Sequence, residues 1–256
     1  MELMSSPRSR HLTVHGRKPV LEALLSGLPV ARVHLADGAR GDTIAEILDA
    51  ARRCGVTVER ASEHRISAIA RTGRHHQGVV ADITAPKMAT LAAFLEQRTG
   101  RNHATSVLVL DQIHNPANVG MILRTATAAG LDGVVVPDTG TAEIGPVAIK
   151  ASAGVAFAAP ILRVDRAEYA VNQLADARFE VVAVDAGGET LFDAPLDPRI
   201  ALVLGNETTG LSAEVRELCT RTVSLPLAAG VESLNVAAAA AVACYELVRR
   251  RGPVAT

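Results

Sequence analysis

Four segments constrain the fold more than any other feature: SVLVLD at 106–111, GVVVP at 133–137, EVVAVD at 180–185 and ALVLG at 201–205. None alternates apolar with polar residues, as a strand with one wet face would. Runs that are apolar throughout predict parallel strands buried on both faces. Helical patterns lie between and after them, at 117–129, 166–178, 212–219 and 234–250. The last is alanine-rich and ends in Arg249, Arg250 and Arg251. Strands alternating with helices predict an α/β domain built on a doubly wound, mostly parallel sheet, here over 106–252.

The first part of the chain alternates shorter elements. Pro19 can open a helix over 19–26, with Val20, Leu21, Leu24 and Leu25 as one stripe. ARVHLA reads as a strand, DTIAEILDAARRC as a helix ending near Gly55, and VTVERA as a strand. Ser62 can cap a short helix through Ala70, and GVVADI is a further strand. The expected organisation is a flexible tail at 1–10, a small α/β domain at 11–84, a connector at 85–105 with one or two helical turns, and the larger domain at 106–252.

Composition removes several classes. The longest apolar run, Val236 to Tyr245, is too short for the ~20 residues of a membrane span. MELMSSPRSR lacks the apolar core of a secretory signal. Cys54, Cys219 and Cys244 lie far apart, with no C-x-x-C pair. That argues against a disulfide framework and a zinc site, and for a reduced, cytoplasmic protein with no metal. Net charge is −1, but residues 1–86 carry +3 and hold six of the eight histidines, while residues 87–256 carry −4. Aromatic residues make up 2% of the chain, so no broad base-stacking platform can form.

No G-x-G-x-x-G, G-x-x-x-x-G-K-[ST] or G-x-S-x-G follows any strand, so dinucleotide, P-loop and hydrolase sites lack an anchor. Sites in open α/β sheets lie at the carboxyl ends of strands. Three such loops are polar and glycine-rich. QIHNPANVGMILR follows the first run; Asn115 can cap its helix, ahead of Pro116, and Gly120 and Arg124 share a face. A helical glycine costs about 1 kcal/mol against alanine. It either leaves room for a ligand beside Arg124 or packs against another helix. NETTGLS follows ALVLG, and AAGVESLNV follows TVSLPL, where Ser233 can cap the last helix and Asn235 lies in its first turn.

Taken together, N-x-G-x-x-x-R, G-N-E-x-x-G-L-S and L-P-L…E-S-L-N-V resemble the SpoU/TrmH family of S-adenosylmethionine-dependent RNA ribose methyltransferases. SAGVAFAAP at 152–160 is similar to that family's intermediate loop. HGRKPVLEALL and HHQGVVA resemble the amino-terminal RNA-binding domain of its RlmB-like branch, a fold shared with some ribosomal proteins.

The resemblance implies a deep trefoil knot in the carboxyl-terminal domain, an exception to the rule that chains do not thread loops. It implies a homodimer formed through that domain, a partner RNA and no membrane. Arg124, Asn118, Glu207, Ser233 and Asn235 fall on catalytic positions. Leu204, Gly205, Asn206, Gly210, Leu225, Pro226 and Leu227, with Ser233, Leu234 and Asn235, fall on cofactor-binding segments. Glu207 would orient Arg124 through a fork-to-fork pair or hold Asn118. Arg17, Lys18, Arg71, Arg74, His75 and His76 are the RNA-contact candidates. The implied activity is 2′-O-ribose methylation of RNA, with large-subunit (23S) rRNA first, tRNA or an antibiotic-binding rRNA site second, and a non-catalytic RNA-binding protein third.

Overall fold

A computed structural model describes residues 11–70, 74–98 and 103–251, without the side chain of Arg74. The expected tail at 1–10, Arg71 and the middle of the connector lie outside the described residues.

The first sheet has the order β1-β4-β2-β3, built from β1 (His11–His15), β2 (Val30–Ala36), β3 (Thr57–Ala61) and β4 (Val79–Thr84). β2 and β3 run parallel, and β4 is antiparallel to both β1 and β2. Its helices are α1 (Arg17–Leu25), α2 (Asp42–Arg53) and α3 (Glu63–Ala70). Ser62 accepts the Arg65 N–H at 3.3 Å, as a cap at α3 should. β1 has no counterpart in the sequence reading. Its pattern H-L-T-V-H alternates, burying only Leu12 and Val14.

Residues 85–98, within the expected connector, carry its short helix and add a strand to the second sheet. They build β5 (Ala89–Thr90), which pairs with β8 (Ile161–Val164), and α4 (Leu91–Glu96). Thr90 caps α4 by accepting the Ala93 N–H at 3.2 Å.

The second sheet has seven strands in the order β11-β9-β10-β6-β7-β8-β5, and every pair in it is parallel. The remaining strands are β6 (Thr105–Leu110), β7 (Gly133–Pro137), β9 (Glu180–Thr190), β10 (Arg199–Leu204) and β11 (Arg221–Ser224). Helices α5 (Pro116–Ala128), α6 (Pro146–Ala151), α7 (Ala167–Asp176), α8 (Ala213–Leu218) and α9 (Val236–Arg251) complete the domain.

Successive strand side chains point to opposite faces. Leu108, Leu110, Val134, Val136, Leu202 and Leu204 therefore join Ile122 and Leu123 of α5 and Ala240 and Ala243 of α9 in one core. Their alternates Val107, Val109, Val135, Ala201 and Val203 join Ala170, Val171 and Leu174 of α7 and Val215 of α8 in a second. Both faces of the sheet are covered, which is why these strands read as unbroken apolar runs.

Gly120 resolves as a packing residue. A Cβ on it would fall inside the van der Waals shell of the Ala148 carbonyl, so glycine is what lets α5 lie against α6.

Candidate active site

Leu204 stands opposite Leu110 in the β10–β6 ladder, so the loops after these two strands start side by side at the carboxyl edge. The first loop turns into α5 through Asn115, whose Oδ1 accepts the Ala117 N–H at 2.9 Å, with Pro116 in the first turn. That geometry places Asn118 inward, and it is only 2% exposed.

The second loop is a tight hairpin. Asn206 and Gly210 exchange both backbone hydrogen bonds at 2.9 Å, and Gly210 has φ +71°, a conformation open to glycine. A Cβ on Gly205 would collide with the Gly210–Leu211 backbone. Asn206 Oδ1 accepts from the Thr208 N–H at 2.8 Å, and its Nδ2 donates to the Gln112 carbonyl at 3.0 Å. Gln112 itself has φ +56°, a left-handed conformation held by this pairing. Asp111, 2% exposed, accepts from both the N–H and the hydroxyl of Ser212, at 2.7 and 2.9 Å. Sequence reasoning passed over Gln112, Asp111 and Ser212; a carboxylate ending an apolar strand was the available signal for Asp111.

The third loop brings Asn235. α9 begins at Val236, and Asn235 caps it, its Oδ1 accepting from the N–H groups of Ala237 at 3.0 Å and Ala238 at 3.4 Å. The expected cap at Ser233 is thereby corrected, since Asn235 is the residue adjoining the first turn. Ser233, Leu234, Pro226 and Leu227 are exposed, while Leu225 is half-buried.

Three of the five expected catalytic residues form one hydrogen-bonded cluster. Asn118 Nδ2 donates to Glu207 Oε1. Asn235 Nδ2 donates to Asn118 Oδ1 at 3.2 Å and to Glu207 Oε1 at 3.3 Å. Glu207 thus holds the two asparagines. Arg124 is exposed, and no hydrogen bond or ion pair holds its guanidinium among the described residues. Ser233 lies outside the cluster as well.

In the first domain Arg17 is half-buried, its Nε donating to the Gln77 carbonyl at 3.3 Å, and Lys18 and His75 are exposed. His15, Arg17, Lys18 and His75 line one cavity of about 530 Å³, together with Pro146 of the second domain. Burial, then electrostatic repulsion from the neighbouring His76 and His75, hold the His15 imidazole below its usual pKa. His76 departs from the expected surface position. Its ring is 1% exposed, lies 2.9 Å from the Ser67 hydroxyl, and accepts the Gly78 N–H at 3.0 Å. It shapes the turn into β4 rather than offering a free ring.

No helix among the described residues is long and apolar enough to cross a membrane, and no group of three or more His, Cys, Asp or Glu could hold a metal there.

Comparison with known proteins matches these two regions separately. Residues 105–245 match the model of the SpoU rRNA Methylase family, and residues 13–89 match a model described as RNA 2'-O ribose methyltransferase substrate binding. An uncharacterized tRNA/rRNA methyltransferase from Mycolicibacterium gilvum is 36% identical over 241 residues, covering 93% of this chain and 76% of that protein. An AdoMet-bound rRNA methyltransferase from Sinorhizobium meliloti superposes with a TM-score of 0.63 at 25% identity, covering 95% of this chain and 88% of its own. The SpoU methyltransferase AviRb from Streptomyces viridochromogenes, in complex with AdoMet, gives 0.62 at 28% identity, covering 95% and 92%. The matched regions span both domains and all three loops of the candidate site: the chain belongs to the SpoU rRNA methylase family and is an RNA methyltransferase of the TrmH/SpoU kind.

Proposed function

We propose that this chain methylates a ribose 2′-hydroxyl of RNA, with large-subunit rRNA as substrate. The observation that carries the reading is the cluster of Asn118, Glu207 and Asn235, formed by the three loops that carry the family's motifs, with exposed Arg124 on the same helix as Asn118. The description of the model matched by residues 13–89 supports the ribose 2′-oxygen as acceptor.

The methyl donor is S-adenosylmethionine. The chain's own geometry fits it: Gly205 lets the 205–210 hairpin close backbone against backbone, since a Cβ there would collide with Gly210 and Leu211, and 226–235 form an exposed loop that ends at Asn235, in contact with Glu207 of that hairpin. Leu204, Gly205, Asn206, Gly210, Leu225, Pro226, Leu227, Ser233, Leu234 and Asn235 would hold the cofactor. When bound, it supplies a sulfonium methyl already activated for in-line transfer.

Arg124 remains a cation, because guanidinium is not deprotonated in proteins. It binds backbone phosphate and stabilises negative charge developing on the 2′-oxygen, while the hydroxyl proton passes to solvent. Glu207 acts on Asn118 and Asn235 rather than on Arg124, keeping the two amides in register for the nucleotide. Ser233 is free to touch the substrate or the cofactor tail. Arg17, Lys18 and His75, with Arg71 and Arg74, take RNA phosphates, and His76 holds the turn into β4 beside His75.

The RlmB-like branch, the trefoil knot, a cytoplasmic location and a homodimer belong to the same reading. Exposed Met121 on α5 and exposed Val242 and Tyr245 on α9, two helices packed on one another, support the dimer. The relatives' names cover both tRNA and rRNA, so the test compares the two. Purified protein is given tritiated methyl donor with deproteinised rRNA or tRNA, and the label is mapped by nuclease digestion. Label on the ribose of rRNA is expected. Label on tRNA alone would transfer the reading to tRNA, and label on a base would overturn it.

A further inference from the structure

The carboxyl end of β9 carries a feature outside all three motifs. β11 pairs with β9 at Thr222↔Ala183 and resumes at Val223↔Glu189. Adjacent residues of β11 thus straddle the stretch Val184–Gly188, which bulges from the ladder. Val184 stands opposite Leu204, the residue before Gly205, and β11 runs directly into Leu225. The bulge therefore lies between the two loops given to the cofactor above.

Its sequence, Val-Asp-Ala-Gly-Gly, offers one functional side chain. Ala186 and Gly187 are exposed and add almost no bulk. Asp185 points toward the second loop: a Cβ on Gly210 would lie 3.5 Å from Asp185 Oδ2 and 3.8 Å from Oδ1. Oδ1 accepts the Ala186 N–H at 2.7 Å. Oδ2 is buried and lacks a hydrogen-bond donor, although Arg216 Nη2 approaches it at 2.5 Å as an ion pair without hydrogen-bond alignment. A carboxylate offers about four acceptor positions, and these two contacts use two of them, so the group can still accept a further donor.

We infer that Asp185 is a further cofactor-binding residue, its carboxylate accepting hydrogen bonds from the ribose hydroxyls of the adenosyl group. The inference rests on the reading that the 205–210 and 225–235 loops hold S-adenosylmethionine. Ligands of open parallel sheets lie beyond the strands' carboxyl ends, and a carboxylate beside a glycine-lined turn there suits a vicinal diol. The diol brings two donors to a group that only accepts. The cofactor's ammonium group fits less well, because Arg216 already supplies a positive charge at this carboxylate.

Titration calorimetry on the full-length protein tests this with S-adenosylhomocysteine and its 2′-deoxy and 3′-deoxy analogues. Wild type should prefer the parent ligand over at least one analogue by about tenfold or more. Asp185→Asn should weaken the parent ligand by a similar factor and erase the preference. Arg216→Gln should keep the preference, since the acceptor remains. If wild type binds all three ligands equally, or Asp185→Asn discriminates as wild type does, the role of Asp185 is overturned while the cofactor reading stands. If wild type binds no S-adenosylhomocysteine, the cofactor reading itself falls.

Discussion

Asn118 on α5 donates its side-chain amide to Glu207, 89 positions later in the chain, and through Asn118 Oδ1 the pair also receives Asn235 at 3.2 Å. One carboxylate oxygen therefore fixes the relative placement of three loops. Asn118→Ala removes a 2%-exposed partner and leaves that oxygen short of a donor. We expect a loss of about 1–3 kcal/mol in unfolding free energy. We expect methyl transfer to fall about 100-fold, since misplacement by an ångström costs that much. Chemical denaturation and single-turnover kinetics read the two effects. Transfer at the wild-type rate in a measurably destabilised variant would remove the cluster from the mechanism.

Arg124 should behave in the opposite way. It is exposed and unpaired among the described residues, so Arg124→Ala should leave stability within about 0.5 kcal/mol. Loss of a charge aimed at the transition state should cost about 100- to 1,000-fold in rate. Arg124→Lys should recover part of it, because a cation is retained without the planar fork. Rates that do not separate alanine from arginine would refute charge stabilisation at this position.

Gly120 is predicted to tolerate no side chain. In Gly120→Ala the new Cβ meets the Ala148 carbonyl, a backbone atom with no rotamer to yield. Overpacking of this kind costs about 1–3 kcal/mol and pushes α5 from α6. Because α5 carries both Asn118 and Arg124, thermal melting and activity should fall together. An unchanged melting temperature would show that the helices part freely.

Acid should loosen the first domain through Asp82. Burial raises its pKa, but His34 Nε2 at 3.0 Å and the Thr13 hydroxyl, donating at 3.3 Å, outweigh that and hold the carboxyl below its usual range. A depressed folded pKa means the stabilisation is complete above the unfolded value, about 3.9, and is lost as pH falls through the folded one. Urea midpoints measured from pH 6 to pH 3 should drop below about pH 4 in wild type, by about 1 kcal/mol from this group. Asp82→Asn should start lower and fall less steeply. An equal slope in the two proteins would exclude Asp82 as the source.

What local sequence could determine was the layer architecture, while the candidate site residues came from the motif resemblance. Runs such as SVLVLD and ALVLG demand burial on both faces, and the structure divides their alternate residues between two cores. Asn118, Arg124, Glu207 and Asn235 were legible through three motifs that resemble a known family, and the fold brings Asn118, Glu207 and Asn235 into contact. The partnerships were not legible. Glu207 could have paired with Arg124 or Asn118, and only the ladder register that sets Leu204 opposite Leu110 chose Asn118. Gly120 had two readings until α6, a six-residue helix with no long period, was seen to lie against it. The capping role passed from Ser233 to Asn235, and the bulge at Asp185 is defined only by how β11 pairs with β9. Periodicity encodes which side of an element meets the core, because burial is a property of each residue. Which loop meets which depends on strand order and register, and those arise from contacts between segments far apart in the chain.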